Sequence, residues 1–342
     1  MLSLVKTLCA LDGVSGWEDE VRDEIRRRVA PYADEIRSDA LGNLMVFRRG
    51  ARPDGRTLML CAHMDEVGLL VKRITDEGYL RFGCVGGFDR RVLPGRRVSV
   101  GPGKHPGVIG LRAYHLRERE DDDKPPKVED LYIDIGARDR AEAEAMAAPG
   151  DVCAFHSPPE DSGAEWIRAK ALDDRAGCAC LVRLLAEARP APDTWTVFTV
   201  QEEVGARGAH AAGQTLAPDF AVVVESTTAA EQPDLPPHKQ VCHLGGGVVI
   251  PVMDRGTVYD AGLTRRLIAT AEAAGIPWQY KEFLAGGTDA GALHLSRCGV
   301  PVAALALPVR YLHSAHSLAN PADLTHLYAL LRAFVTQFST RA

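Results

Sequence analysis

Five short segments carry acidic and imidazole side chains in sharply punctuated settings. They are Ala62-His63-Met64-Asp65-Glu66, Ala171-Leu172-Asp173-Asp174-Arg175, Gln201-Glu202-Glu203-Val204-Gly205, Val224-Glu225-Ser226 and Arg310-Tyr311-Leu312-His313-Ser314. Most follow an apolar run that reads as a buried strand, as Thr57-Leu58-Met59-Leu60-Cys61 precedes His63. Imidazoles and carboxylates gathered at the ends of several strands form the donor set of a two-metal hydrolytic centre.

Each segment divides its chemistry differently. His63 and Asp65 are two apart, so on extended backbone they share a side, and Asp65 can orient the imidazole as an outer partner. Asp173 and Asp174 open a helix, where carboxylates often cap or meet the helix dipole. One of the pair suffices for that, which leaves Asp173 as a metal bridge and Asp174 as support. Glu202 and Glu203 are adjacent and repel each other unless a cation is near; one would ligate and the other handle the proton of a bound water. Glu225 closes the apolar run 220–224. His313 follows the run 303–307, with Tyr311 expected on the same extended face to pack against its ring.

The elements that would hold these residues divide into two textures. Ser15-Gly16-Trp17-Glu18 has the pattern of a capping box, and Val21, Ile25 and Val29 follow at helical spacing, predicting a helix over 16–31. Strands are predicted at 44–48 and 57–61. From Gly68 to about Ser157 only short β-rich runs appear, separated by turn residues. From Lys170 onward strands alternate with helices, the pattern of an α/β sheet covered on both faces. The expected fold is therefore α/β, a mixed sheet flanked by helices with an inserted small β-barrel-like domain. Residues 1–65 plus 163–342 form the first unit and 66–162 the second. The acidic stretch 117–130, with three consecutive Asp, reads as an exposed loop.

Bulk properties narrow the function. A net charge of -6 argues against a general nucleic-acid binder. No run of about 18 apolar residues occurs, so no membrane span is expected. The eight cysteines contain no Cys-x-x-Cys pair; in so long a chain they read as reduced core residues, which favours a cytoplasmic home. There is no His-Glu-x-x-His helix for a single-zinc protease and no Gly-x-Ser-x-Gly elbow for a serine hydrolase.

Taken in order, His63-Met-Asp65-Glu-Val-Gly68, Lys170-Ala-Leu-Asp173-Asp-Arg175, Gln201-Glu-Glu-Val-Gly205, Gly286-Gly-Thr-Asp289 and Arg310-Tyr-Leu-His313-Ser resemble the M42 family of metallo-aminopeptidases. Gly86-Gly-Phe-Asp89, Asp134-Ile-Gly136 and Gly245-Gly-Gly247 extend the likeness along nearly the whole chain. The resemblance implies two divalent ions per subunit, zinc first, with cobalt or manganese as alternatives. His63, Asp173 and Glu225 would hold one ion, and Asp173 would bridge to a second held by Glu203 and His313. Glu202 would be the general base and Asp65 would orient His63. It further implies short peptides as substrates and a homo-oligomer, typically a tetrahedral dodecamer. The chain departs from the family at Glu225, where Asp is usual; the extra methylene moves the carboxylate outward. The first-residue pocket is expected around 286–289; Arg255 and Arg310 either read an acidic substrate or pair with Asp254 and other carboxylates, and the ion pair is the expectation. An amide deacylase of N-acyl amino acids, or a scaffold that keeps the fold, are the alternative readings.

Overall fold

The computed structural model describes residues 1–116, 124–161, 163 and 165–339. The acidic run at 117–123 lies outside the described residues. Strands β1 (Glu35–Ser38), β2 (Leu44–Arg48) and β3 (Thr57–His63) come first. Six more close into a barrel: β4 (Gly68–Ile74), β5 (Leu80–Val85), β6 (Arg97–Val100), β7 (His105–Gly110), β8 (Tyr132–Asp134) and β9 (Val152–Phe155). Their order is β4-β5-β8-β7-β6-β9. Closure removes free strand edges, and Leu69, Val71, Leu80, Ile133 and Phe155 share its buried cluster.

The chain then returns to the large sheet through β10 (Glu160–Asp161), β11 (Ile167–Ala169), β12 (Asp193–Thr199), β13 (Phe220–Thr228), β14 (Val248–Ile250), β15 (Trp278–Tyr280), β16 (Val302–Arg310) and β17 (Ser317–Ala319). The main path is β1-β2-β12-β3-β13-β16-β17-β11-β10. At its centre β12, β3, β13 and β16 run parallel to one another.

The helices are α1 (Leu2–Ala10), α2 (Asp19–Val29), the short α3 (Arg140–Glu144), α4 (Leu172–Glu187), α5 (Arg207–Leu216), α6 (Ala261–Ala274), α7 (Ala290–Leu293) and α8 (Pro321–Gln337). Parallel neighbours need crossovers, and α4 to α7 lie on these; α1 and α2 precede β1, α3 belongs to the barrel segment and α8 follows β17. Leu58, Leu60 and Ala62 of β3 pack with Leu181 of α4, Leu267 of α6 and Leu331 of α8. Met59 and Cys61, which face the other way, pack with Ala209 of α5 and Leu293 of α7. Burial on both faces is why β3 reads as an unbroken apolar run rather than an alternating one. Each leucine buried there contributes about 1.5–3 kcal/mol.

Two local expectations fail. The helix expected over 16–31 spans only Asp19–Val29, and Ser15 does not cap it. The Ser15 hydroxyl donates instead to Asp65 at 2.6 Å, while the Glu18 carboxylate accepts from the Gly16 and Gln201 amides at 2.7 and 3.1 Å. A buried carboxylate and two loop amides outcompete the helix end for these groups. The strand expected to end at 224 runs on to Thr228, so Glu225 projects from within β13 rather than from its tip. All eight cysteines are free, six of them buried. Among the described residues no helix is long and apolar enough to cross a membrane.

Candidate active site

The four parallel strands deliver the candidate residues to one end of the sheet, the carboxyl end, where open α/β sheets bind ligands. His63 is the last residue of β3, and Glu202 and Glu203 follow β12. Glu225 lies on β13 opposite Ala306 of β16, His313 follows β16, and Asp173 enters α4.

Asp173 divides its carboxylate between two imidazoles. Its Oδ1 lies 3.2 Å from His63 Nε2 and its Oδ2 3.3 Å from His313 Nε2. Glu225 Oε1 is 3.3 Å from His63 Nε2, and Glu203 Oε2 is 3.2 Å from His313 Nε2. The ligand atoms of His63, Asp173 and Glu225 fall within 4.8 Å of one another, as do those of Asp173, Glu203 and His313. Ligands about 2.1 Å from a tetrahedral ion stand about 3.4 Å apart. The donor types and spacing therefore suit a divalent metal.

The electrostatics agree. Burial lowers the pKa of His313, but the hydrogen bonds and charges of Asp173 and Glu203 outweigh it and push the ring up to about 11. His63 is also held well above its usual value: burial opposes, while Glu225, Asp173 and Asp65 prevail. Burial pushes Glu225 up to about 8 against the pull of His63. Burial would raise Asp173 too, yet the two imidazoles hold it well below the usual carboxylate range. The crowded carboxylates demand positive charge, and a divalent cation meets the demand that these ring protons meet.

Both imidazoles are oriented from behind. His63 Nδ1 faces the Asp65 carbonyl at 3.1 Å and its carboxylate at 3.4 Å, and His313 Nδ1 faces the Gly87 carbonyl at 2.6 Å. Donation from Nδ1 leaves Nε2 for a metal. The expected Tyr311 packing is not found. Tyr311 and His313 both adopt left-handed backbone, with φ of 58° and 55°, and Tyr311 is 54% exposed. The carbonyl of Gly87, on the segment after β5, takes that role.

The Asp65 carboxylate has a wider task than its His63 contact. Oδ1 accepts the Glu202 amide at 3.0 Å, and Oδ2 accepts the Glu203 amide at 3.1 Å and the Ser15 hydroxyl. The two glutamates thus sit on a turn whose N–H groups converge. The Glu202 carboxylate makes no hydrogen bond among the described residues and is raised well above the usual range, chiefly by burial. Asp174 takes the helix-start role, accepting the Gly177 amide at 3.0 Å. Behind the cluster Glu66 Oε1 accepts from Lys170 at 2.5 Å and lies 3.4 Å from Arg175 Nη2, tying the 63–66 and 170–175 segments together.

Sequence reasoning missed several participants. Ser15 and Glu18 looked like helix caps, and the left-handed Ala171 and Gln201 beside the acidic residues carry no glycine to announce them. Such backbone costs about 1–2 kcal/mol per residue and collects at sites that impose it. Gly87 could have been found, since its motif was visible. The cluster opens on a cavity of about 550 Å³, also lined by Tyr259, Lys281, Gly286, Gly287 and Thr288. Asp289 of the same glycine-rich motif lies buried beneath, bonded by Thr199 Oγ1 at 2.5 Å and Cys61 Sγ at 3.3 Å. Arg310 pairs with Glu231 at 2.6 Å, and the Asp254 carboxylate accepts from the Gly256 and Thr257 amides and the Tyr259 hydroxyl.

Comparison with known proteins places this arrangement. Residues 42–330 match the family model described as M42 glutamyl aminopeptidase. A protein of Acetivibrio thermocellus bearing a provisional aminopeptidase name is 39% identical over 332 residues, 97% of each chain. The lysyl aminopeptidase of Pyrococcus furiosus is 32% identical, covering 98% of this chain and 96% of its own. The TET1 peptidase of Pyrococcus horikoshii, described as assembling into a tetrahedron or a large octahedral shell, superposes with a TM-score of 0.87 at 34% identity, covering 98% and 99% of the two chains. With its motifs in order, its sheet and barrel in place and its residues matched along most of their length, the chain belongs to the M42 peptidase family and is an aminopeptidase-type hydrolase of peptide bonds.

Proposed function

We propose that the chain is a dinuclear-metal aminopeptidase that removes the first residue from short peptides. His63, Asp173 and Glu225 would hold one ion and Asp173, Glu203 and His313 the other, with zinc the first choice for this mixed nitrogen and oxygen set and cobalt or manganese as alternatives. The observation that carries the reading is the pair of ligand triads sharing Asp173, with the unpaired Glu202 carboxylate on the same cavity.

When bound, the ions supply Lewis-acid polarisation of the scissile carbonyl and lower the pKa of a water. The chain's own residues do the rest. Glu202, raised by burial, accepts the proton of the attacking water and returns it to the leaving amine nitrogen. Asp65 holds the Glu202 and Glu203 amides and so positions both carboxylates. Asp65 and the Gly87 carbonyl fix the imidazoles. The substrate's free α-amine would sit among these acidic groups, which accounts for trimming at the end of a peptide.

Residues 1–65 plus 163–342 are assigned to catalysis and 66–162 to an inserted barrel used in oligomerisation. A homo-oligomer of the tetrahedral kind, working in the cytoplasm, is in keeping with the relatives. No observation favours the deacylase, and no ligand position is missing as a scaffold would allow. The test is Glu202→Gln on metal-loaded protein, with free-amine peptides and their N-acetylated copies. Turnover should fall about 10²- to 10⁴-fold while elemental analysis finds the metal retained. Full turnover would refute the base assignment, and release of acetate would favour the deacylase.

A further inference from the structure

A second cavity, of about 250 Å³, lies where the loop before α2 meets the barrel. It shares no lining residue with the cavity that serves the acidic cluster. One wall comes from Asp12, Val14 and Trp17 with the start of α2; the other comes from β6, the turn after it and the start of β9.

Charge is unbalanced there. The carboxylates of Asp12, Asp19, Glu20 and Asp151 line it, against one ammonium, Lys104. Lys104 meets Glu20 at 2.7 Å and Asp12 at 3.6 Å. Two cations reach in from outside the lining: Lys170 stands 3.3 Å from Asp12, and Arg22 pairs with Asp19. Three of the carboxylates are thereby served, and Asp151 is not. Its Oδ2 accepts the Ala148 amide at 2.8 Å. Among the described residues its Oδ1 has no hydrogen-bond donor, and no cation stands within ion-pair distance of either oxygen.

A second group is independent of this charge. Val98 and Val100 of β6 belong to the buried cluster of the barrel, so Ser99 between them faces outward, into this cavity. Ser99 is 8% exposed, and its hydroxyl has no hydrogen-bond partner among the described residues. A hydroxyl so buried costs free energy until something meets it, and its lone pairs can accept. Trp17, 45% exposed, turns an indole onto the same lining with no ring or cation partner among the described residues.

These features have one complement. A carboxylate without a counter-ion, a hydroxyl able to accept and an open aromatic face all favour a cation that carries N–H donors. Drug-sized ligands occupy pockets of about 300 Å³ upward, so the ligand here is small. We propose that the junction cavity binds a small organic cation with a guanidinium or primary ammonium group, held on the Trp17 ring and hydrogen-bonded to Asp151 and Ser99. A guanidinium fits best, since its planar fork bonds a carboxylate and still lies on an aromatic face. Bound there, the cation joins the loop before α2 to the barrel, because Trp17 belongs to the one and Ser99 and Asp151 to the other.

Calorimetry on metal-loaded full-length protein tests this with n-butylguanidinium, n-butylammonium and the neutral n-butylurea. The guanidinium should bind at least about tenfold more tightly than butylurea, as one charge-assisted hydrogen bond allows. Asp151→Asn should remove most of that advantage. Trp17→Leu should weaken binding about two- to fivefold, and Ser99→Ala about threefold. Glu202→Gln, in the other cavity, should leave the affinity unchanged. Tryptophan fluorescence should respond to the guanidinium in the parent and lose that response in Trp17→Leu. Only variants that keep the parental urea midpoint are compared; should Asp151→Asn fail to fold, Trp17→Leu, at a nearly half-exposed position, carries the test. Weakening in either variant with Glu202→Gln unaffected supports the proposal. No saturable binding of either cation, equal binding of butylurea, or affinity unchanged in both Asp151→Asn and Trp17→Leu overturns it. Weakening in Glu202→Gln places the cation in the acidic cluster and overturns it as well.

Discussion

Replacing Asp65 with Asn tests how the two glutamates are held. The side chain is fully buried, and its carboxylate accepts three hydrogen bonds, from the Glu202 and Glu203 amides and the Ser15 hydroxyl. An amide of the same shape has only one acceptor oxygen. Whichever way it turns, its NH₂ meets at least one backbone N–H that then has no partner. An unsatisfied buried donor costs about 1–3 kcal/mol, and losing the charge weakens each remaining bond by about 1 kcal/mol. The sum is about 3–5 kcal/mol, concentrated on the turn that carries Glu202 and Glu203. Loss of a ligand's outer partner typically lowers metal affinity or activity 10- to 100-fold, so both should fall in Asp65→Asn. Urea unfolding, chelator competition and turnover together provide the assay, with Ser15→Ala as the milder comparison at about 1 kcal/mol. An unchanged unfolding midpoint with turnover within about twofold of the parent would refute the reasoning, because no arrangement of an amide satisfies both N–H groups.

Other expectations follow from individual contacts. Burial, with the nearby Asp65 charge, pushes Glu18 up to about 7 from 4.5. The folded protein therefore holds that proton more tightly than the unfolded chain: the stabilisation is complete below pH 4.5 and is lost as pH rises through about 7, at most about 3 kcal/mol. Glu18→Gln should flatten that part of the stability profile in urea melts at pH 5 and 8; an unaltered slope would remove Glu18 as its source. Lys170→Met breaks a pair in which both side chains are 3% exposed; Glu66 keeps Arg175 Nη2 at 3.4 Å and the Gly13 amide at 3.1 Å, so the loss in denaturant melts should be that of one charged hydrogen bond, about 1.5–3 kcal/mol. Glu225→Asp draws the carboxylate back from His63, now 3.3 Å away. It should weaken divalent-metal binding by about 1–3 kcal/mol in chelator competition; parental affinity in Glu225→Asp would show that the longer side chain is not what reaches the ion.

Much of this was legible in the residues alone, for a physical reason: burial on two faces leaves an unbroken apolar run, and β3, β13 and β16 announce themselves that way. The barrel strands were equally visible because closed sheets need turn residues at short intervals. The ligand candidates could be picked out because acidic and imidazole groups at the end of such runs conflict with burial unless a cation or a partner is present. Short β14 and β15 gave no such signal, being three residues each.

Tertiary structure decided what depends on groups far apart in the chain. That Ser15 serves Asp65 rather than a helix end, that Gly87 rather than Tyr311 orients His313, and that Lys281 stands in the same cavity as Glu225 are facts of partner choice. Sequence patterns record the local preferences of a residue and its average burial. A hydroxyl, a carbonyl or an ammonium is satisfied by whichever buried group the fold brings within about 3 Å, and that neighbour is set only when the strands and loops have packed.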